Sequence, residues 1–148
     1  MGPMEDKKLI QKFPLKTLED IHRLAQYCAQ IEGLRKVFLL SGPMAAGKTE
    51  FVKQWGALWG ISDVASPSFA LHHSYESSHG HLEHWDLYRL EDVDQLESVG
   101  FWDLFQAQEG ILLIEWPEKV PSEWWPRDWK TYWLDFLPRE SCDLYLYR

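Results

Sequence analysis

The strongest constraint on this chain is one eight-residue segment. Gly42-Pro43-Met44-Ala45-Ala46-Gly47-Lys48-Thr49 sets two glycines, a lysine and a threonine at the spacing G-x-x-x-x-G-K-[ST]. Directly before it lies the apolar run Val37-Phe38-Leu39-Leu40. Directly after it Phe51, Val52, Trp55, Leu58 and Trp59 recur at helical spacing. A run apolar at every position is what a strand buried on both faces of a parallel sheet requires. A glycine-bracketed turn from such a strand into a helix curls successive backbone N–H groups around a polyphosphate, with the positive end of the helix dipole behind them. The fixed positions divide the chemistry among them. Gly42 and Gly47 adopt backbone angles a Cβ would forbid, Lys48 neutralises β- and γ-phosphates, and the Thr49 hydroxyl serves a magnesium ion. Gly42, Pro43, Met44, Ala45, Ala46, Gly47, Lys48, Thr49 and the following Glu50 are therefore the expected nucleotide-binding set.

The base is partly legible too. GTP-binding proteins with this loop usually read guanine through Asn-Lys-x-Asp, and this chain has no asparagine, which favours ATP. Phosphoryl chemistry also needs acidic groups at the metal and the attacking water. Glu115 directly follows a second fully apolar run, Ile111-Leu112-Leu113-Ile114, where a strand-end carboxylate reaches the metal or orients water. Asp86 ends an expected strand beside Arg89 and admits two readings, a metal-facing carboxylate or a surface ion pair. Lys48, Asp86 and Glu115 are the catalytic candidates; Thr49, Asp86 and Glu115 are the metal-facing ones.

The other elements follow from periodicity. Thr17 and Asp20 form a capping box before Ile21, Leu24, Ala25 and Cys28, with Gly33 as the stop. Residues 69–75 and 81–87 read as two strands joined by the polar turn Ser77-Ser78-His79-Gly80. Residues 90–99 carry Leu90, Val93 and Leu96 at helical spacing, with Asp92 as cap. Pro117, Pro121 and Pro126 interrupt regular structure, and strands return at 131–136 and 143–147. The expected architecture is α/β, a P-loop NTPase-like mixed sheet flanked by helices with a β-hairpin insertion. One domain spans 1–148, with residues 1–15 as a lead-in and 16–148 globular.

Composition excludes some roles. With 45% hydrophobic and 15% aromatic residues the chain can fill a core, and its net charge of −8 disfavours direct gripping of nucleic acid. Cys28 and Cys142 lie far apart in apolar stretches and read as reduced, buried side chains. No apolar signal core opens the sequence and no stretch approaches a membrane span, so a cytoplasmic protein without membrane contact is expected.

Four segments in order, 42–49, Ser66-Pro67-Ser68-Phe69, His84-Trp85-Asp86-Leu87-Tyr88-Arg89-Leu90 and Leu113-Ile114-Glu115-Trp116-Pro117-Glu118, make the sequence resemble the TsaE (YjeE) family from about residue 16 to about 136. The resemblance implies a weak ATPase, stimulated by partners, that serves threonylcarbamoyladenosine modification of tRNA. It implies TsaD- and TsaB-like partners, with TsaD performing the transfer and tRNA contacted only through the complex. It also implies ATP/ADP and Mg2+ as cofactors, Ser66 and Ser68 in a switch-like loop, Trp116 near the nucleotide, and Asp86 with Glu115 as the acidic pair. Two departures stand out. The family usually has Asp-Leu-Gly where this chain has Pro43-Met44-Ala45, and Ala70 replaces a hydroxyl residue of the switch segment. Two other readings remain: a small P-loop kinase of a metabolite, against which the Trp- and Pro-rich stretch after Glu115 speaks, and a nucleotide-gated binding module with negligible hydrolysis. His72, His73, His79, His81 and His84 read as partly exposed hairpin residues rather than a metal site, and Trp124, Trp125, Trp129 and Trp133 as cover for the sheet rather than a docking surface. The isolated chain is expected to be monomeric.

Overall fold

The computed structural model describes residues 7–62, 64 and 71–147. Its frame is a seven-stranded sheet in the order β1-β7-β6-β2-β5-β4-β3. The apolar run around Val37 becomes the central strand β2 (Arg35–Ser41), parallel to β5 (Gly110–Glu115) on one side and to β6 (Lys130–Leu137) on the other. Strand β4 (Gly80–Asp86) runs parallel to β5. Antiparallel partners close both flanks: β7 (Ser141–Tyr147) and β1 (Lys7–Pro14) beside β6, and β3 (His72–Ser77) beside β4. The mixed α/β sheet expected from the sequence is the one observed.

Alternation along β2 divides the core in two. Phe38 and Leu40 pack beneath helices α1 (Leu18–Ala29) and α2 (Lys48–Leu58), against Leu24, Cys28, Phe51 and Trp55. Val37 and Leu39 point to the opposite face and meet Trp85, Leu112, Trp129 and Trp133. Side chains of a strand point alternately up and down, so a run apolar at every position stabilises both layers at once, by about 1.5–3 kcal/mol for each large side chain fully buried. Trp125, Trp129 and Trp133 are buried in the second layer, whereas Trp124 is 43% exposed. Covering the sheet is what most of this tryptophan cluster does.

The helix ends follow local chemistry. At α1 the Thr17 hydroxyl accepts from the Asp20 amide at 3.1 Å, and the Asp20 carboxylate accepts from the Thr17 amide at 3.1 Å. The expected capping box is present. α1 stops at Ala29, short of Gly33. α2 ends at Leu58, and the φ of +76° at Gly60 lets the Ile61 amide return to the Gly56 carbonyl at 2.8 Å.

Two expectations change. Residues 7–14, assigned to a lead-in, form edge strand β1, tied to β7 by Lys12–Asp143 at 2.9 Å. Only Phe13 of this strand is buried and its register shifts at Ile10, so no alternation marks it in the sequence. The expected hairpin joins the main sheet, with β4 beside β5 and β3 at the edge. The strand expected at 69–75 is described only from 71 onward. Of the helix expected over 90–99, only the turn α3 (Gln95–Ser98) forms. The Asp92 carboxylate accepts from the Asp94 amide at 2.9 Å, a local turn that competes with helix. The proline-rich stretch carries two short 3₁₀ turns, Pro117–Lys119 and Ser122–Trp124. Among the described residues no helix is long and apolar enough to cross a membrane.

Replacing Thr17 by Ala removes an exposed cap without touching the core. The expected loss is about 1 kcal/mol, read as a fall of about 2–4 °C in a thermal melt.

Candidate functional site

The site grows from the C-terminal end of β2. Ser41 closes the strand, and Gly42 turns the chain where a side chain has no room: a Cβ there would lie 2.7 Å from the Phe136 carbonyl oxygen. Gly47 then precedes α2 with φ +107°. No side chain caps α2; its first intrahelical bond runs from the Phe51 amide to the Gly47 carbonyl at 2.9 Å. The amides of Lys48, Thr49 and Glu50 precede that bond and have no partner inside the helix. An eleven-residue helix thus presents bare N–H groups and the positive end of its dipole to the loop.

Ala45, one of the departures from the family pattern, takes the left-handed conformation with φ +61°. The loop therefore keeps a backbone geometry suited to glycine, at a cost of roughly 1–2 kcal/mol for an alanine. Lys48 lies along the loop: its Nζ donates to the Gly42 carbonyl at 2.5 Å and stands 3.8 Å from the centre of the Trp116 ring. Burial pulls the Lys48 ammonium below the ordinary lysine range, and the charges of Glu115, Glu118 and Asp86 work against that shift.

The two carboxylates arrive on neighbouring parallel strands. Asp86 ends β4, Glu115 ends β5, and the ladder pairs them directly. Glu115 is 3% exposed. It accepts from the Thr49 hydroxyl at 3.2 and 3.4 Å and from His84 Nε2 at 2.7 Å. Asp86 accepts from the Tyr88 amide at 3.0 Å. Burial, and then the nearby Glu115 charge, raise the Asp86 carboxyl above the usual aspartate range. Tyr88 and Trp116 rings, 5.1 Å apart, stand beside this pair. The resulting cavity of about 370 Å³ is lined by Met44, Lys48, Thr49, Asp86, Glu115 and Trp116, among others.

The structure thus brings together Gly47, Lys48, Thr49, Glu50, Asp86, Glu115 and Trp116 of the expected set, with Met44 and Ala45 on the rim. Ala46 turns into the core at 5% exposure, while Pro43 is exposed. Ser66 and Ser68 lie outside the described residues. Asp86 lines the cavity. Two residues escaped the sequence reading. Glu118 accepts a hydrogen bond from the Ser41 hydroxyl at the base of the loop. His84, expected on a partly exposed hairpin, is wholly buried against Glu115. The spacing of Glu118 after the second apolar run was its one sequence signal; His84 carried a signal only in its position two residues before Asp86.

The donor set fits magnesium with a nucleotide. A hydroxyl and two carboxylates are hard oxygen ligands. Among the described residues no cluster of three or more His, Cys, Asp or Glu forms a cage for a metal, and an ion held here would complete its shell from phosphate oxygens and water. Because the folded-state value of Asp86 is raised, its charged form destabilises the nucleotide-free protein at neutral pH, and that penalty fades as pH falls through the raised value. Asp86→Asn is expected to melt at a higher temperature than the wild type at pH 7.5, with the gap closing on acidification; thermal melts across a pH series measure it.

Comparisons with known proteins converge on one family. The model for "Threonylcarbamoyl adenosine biosynthesis protein TsaE" matches residues 15–140. The chain is 38% identical over 115 residues to the tRNA threonylcarbamoyladenosine biosynthesis protein TsaE of Aquifex aeolicus, covering 76% of this chain and 80% of that one. Similarity to the Synechocystis protein of the same name is 34% over 75% of this chain and 73% of the relative, and to the Bacillus subtilis one 33% over 71% and 68%. The fold resembles the crystal structure of Bacillus subtilis YdiB with a TM-score of 0.64 at 22% identity, over 95% of this chain and 85% of that one. With its phosphate loop and paired carboxylates inside the matched span, this chain belongs to the TsaE family.

Proposed function

We propose that this chain is a magnesium-dependent ATP-binding subunit with weak ATPase activity, serving threonylcarbamoyladenosine modification of tRNA together with TsaD- and TsaB-like proteins. The observation that carries the reading is the uncapped start of α2 at the 42–49 loop, facing Asp86 and Glu115 on adjoining strand ends. The acidic net charge fits contact with tRNA through the partners rather than directly.

In this reading the amides of 44–50 hold the phosphate oxygens and Lys48 leaves the Gly42 carbonyl to meet the β- and γ-phosphates. Its lowered value and its aromatic neighbour Trp116 reflect a cation kept partly out of water, where its interaction with phosphate is stronger. The Thr49 hydroxyl and the Asp86 carboxylate would hold the magnesium ion, which would supply charge neutralisation of the phosphates. Glu115 orients the attacking water, and phosphate leaves with ADP retained. Trp116 and Tyr88 flank the nucleotide, while Ser66 and Ser68 respond to its γ-phosphate. Partner binding raises turnover by ordering these groups around the water.

Calorimetry with ATP, ADP and GTP plus magnesium tests the first half. Adenine nucleotides are expected to bind, GTP more weakly, and Lys48→Ala to lose most of the affinity. Phosphate release with and without a TsaD–TsaB pair tests the second half: stimulation supports the assignment, and an unstimulated protein that neither binds the pair nor responds to it contradicts the assignment.

A further inference from the structure

The five hairpin histidines are not equivalent. His72 stacks on Trp85 at 4.1 Å and His79 on Trp59 at 6.0 Å, while His81 lies between Glu76 and Glu83. These contacts tie the hairpin together and to the end of α2. His84 differs: it is completely buried, and its Nε2 meets the carboxylate that ends the neighbouring strand.

Its place in the sheet explains the contact. Along β4 the side chains of Leu82, His84 and Asp86 share one face, and along β5 Ile111, Leu113 and Glu115 share the same face. Leu82, Ile111 and Leu113 belong to the apolar layer under the helices. Asp86 and Glu115 belong to the cavity. His84 is the step between them, one residue below Asp86 on that face and diagonal to Glu115.

Energetics argue against a packing role. Among the described residues, His84 Nδ1 is buried with no hydrogen-bond partner, and an orphaned polar atom costs roughly 1–3 kcal/mol. A leucine or phenylalanine would fill this row without that cost. What the imidazole adds is the 2.7 Å bond to Glu115 Oε2, shorter than the 3.2 and 3.4 Å contacts from Thr49. The stronger donor fixes the carboxylate.

We propose that His84 is a positioning residue for Glu115, its Nε2–H holding one carboxylate oxygen so that the group faces the metal and water side of the nucleotide site. The proposal rests on the nucleotide reading above and extends it to a residue behind the site. His84 touches neither nucleotide nor ion; it acts through Glu115. Partners that orient a ligating group from behind typically matter 10–100-fold.

Two measurements test it. Nitrogen NMR of the nucleotide-free protein is expected to show His84 as the Nε2–H tautomer, perturbed in Glu115→Gln; an Nδ1–H tautomer overturns the proposal whatever the nucleotide does. Calorimetry then compares wild type, His84→Phe and His84→Gln for ADP binding without magnesium and across a magnesium titration. His84→Phe is expected to keep magnesium-free ADP affinity while needing about ten-fold more magnesium to reach full affinity. His84→Gln, which restores an N–H donor, is expected to recover most of that loss. Should His84→Phe titrate like wild type, or His84→Gln fold and bind ADP yet match His84→Phe, the proposal fails alone. Absence of ADP binding in the wild type overturns the nucleotide reading itself, and this one with it.

Discussion

Everything at the site depends on a helix that begins without a cap. The first turn of α2 offers backbone N–H groups that neither the helix nor, among the described residues, a side-chain cap satisfies. Burying such donors without partners is costly, so they are tolerated only at an open surface or opposite an anion. Here they open onto a cavity, and three features keep them there. Gly42 fits where a Cβ would strike Phe136, Ala45 is held left-handed, and β2 anchors the loop in the middle of the sheet.

The same sheet sets the opposing wall. Parallel pairing of β4 with β5 and of β5 with β2 brings three strand ends to one edge. Ser41, Asp86 and Glu115 then meet the loop from below, although 74 and 29 residues separate Ser41 from Glu115 and Asp86 from Glu115. The site is electrostatically unfinished. Glu115 and Asp86 repel one another, and Lys48 is desolvated and turned onto a carbonyl and an indole face. A polyphosphate with a hard divalent cation would relieve each of these tensions.

Much of this was legible in the sequence because it rests on total burial or fixed spacing. Runs such as Val37–Leu40 and Ile111–Ile114 can hardly be anything but central strands, and a loop of fixed glycines between strand and helix has few other uses. Strand β1 was illegible because an edge strand exposed on both faces has no alternation to read. The short α3 was overread because periodic leucines do not reveal that Asp92 will bond its neighbour's amide. His84 was misplaced for another reason. Its role follows from strand pairing between β4 and β5, which periodicity along one strand does not encode. The conformation of Ala45 was similarly hidden, since nothing in an alanine announces a positive φ.

The central claim is that the backbone amides of the 42–49 loop and the first turn of α2 receive the phosphates. Residue-resolved amide hydrogen exchange, with and without ATP and magnesium, reads those groups directly. The account predicts that protection appears at the amides of 44–50 and at the ends of β4 and β5. Nucleotide binding that leaves those amides exchanging as before, with protection elsewhere in the fold, would contradict it.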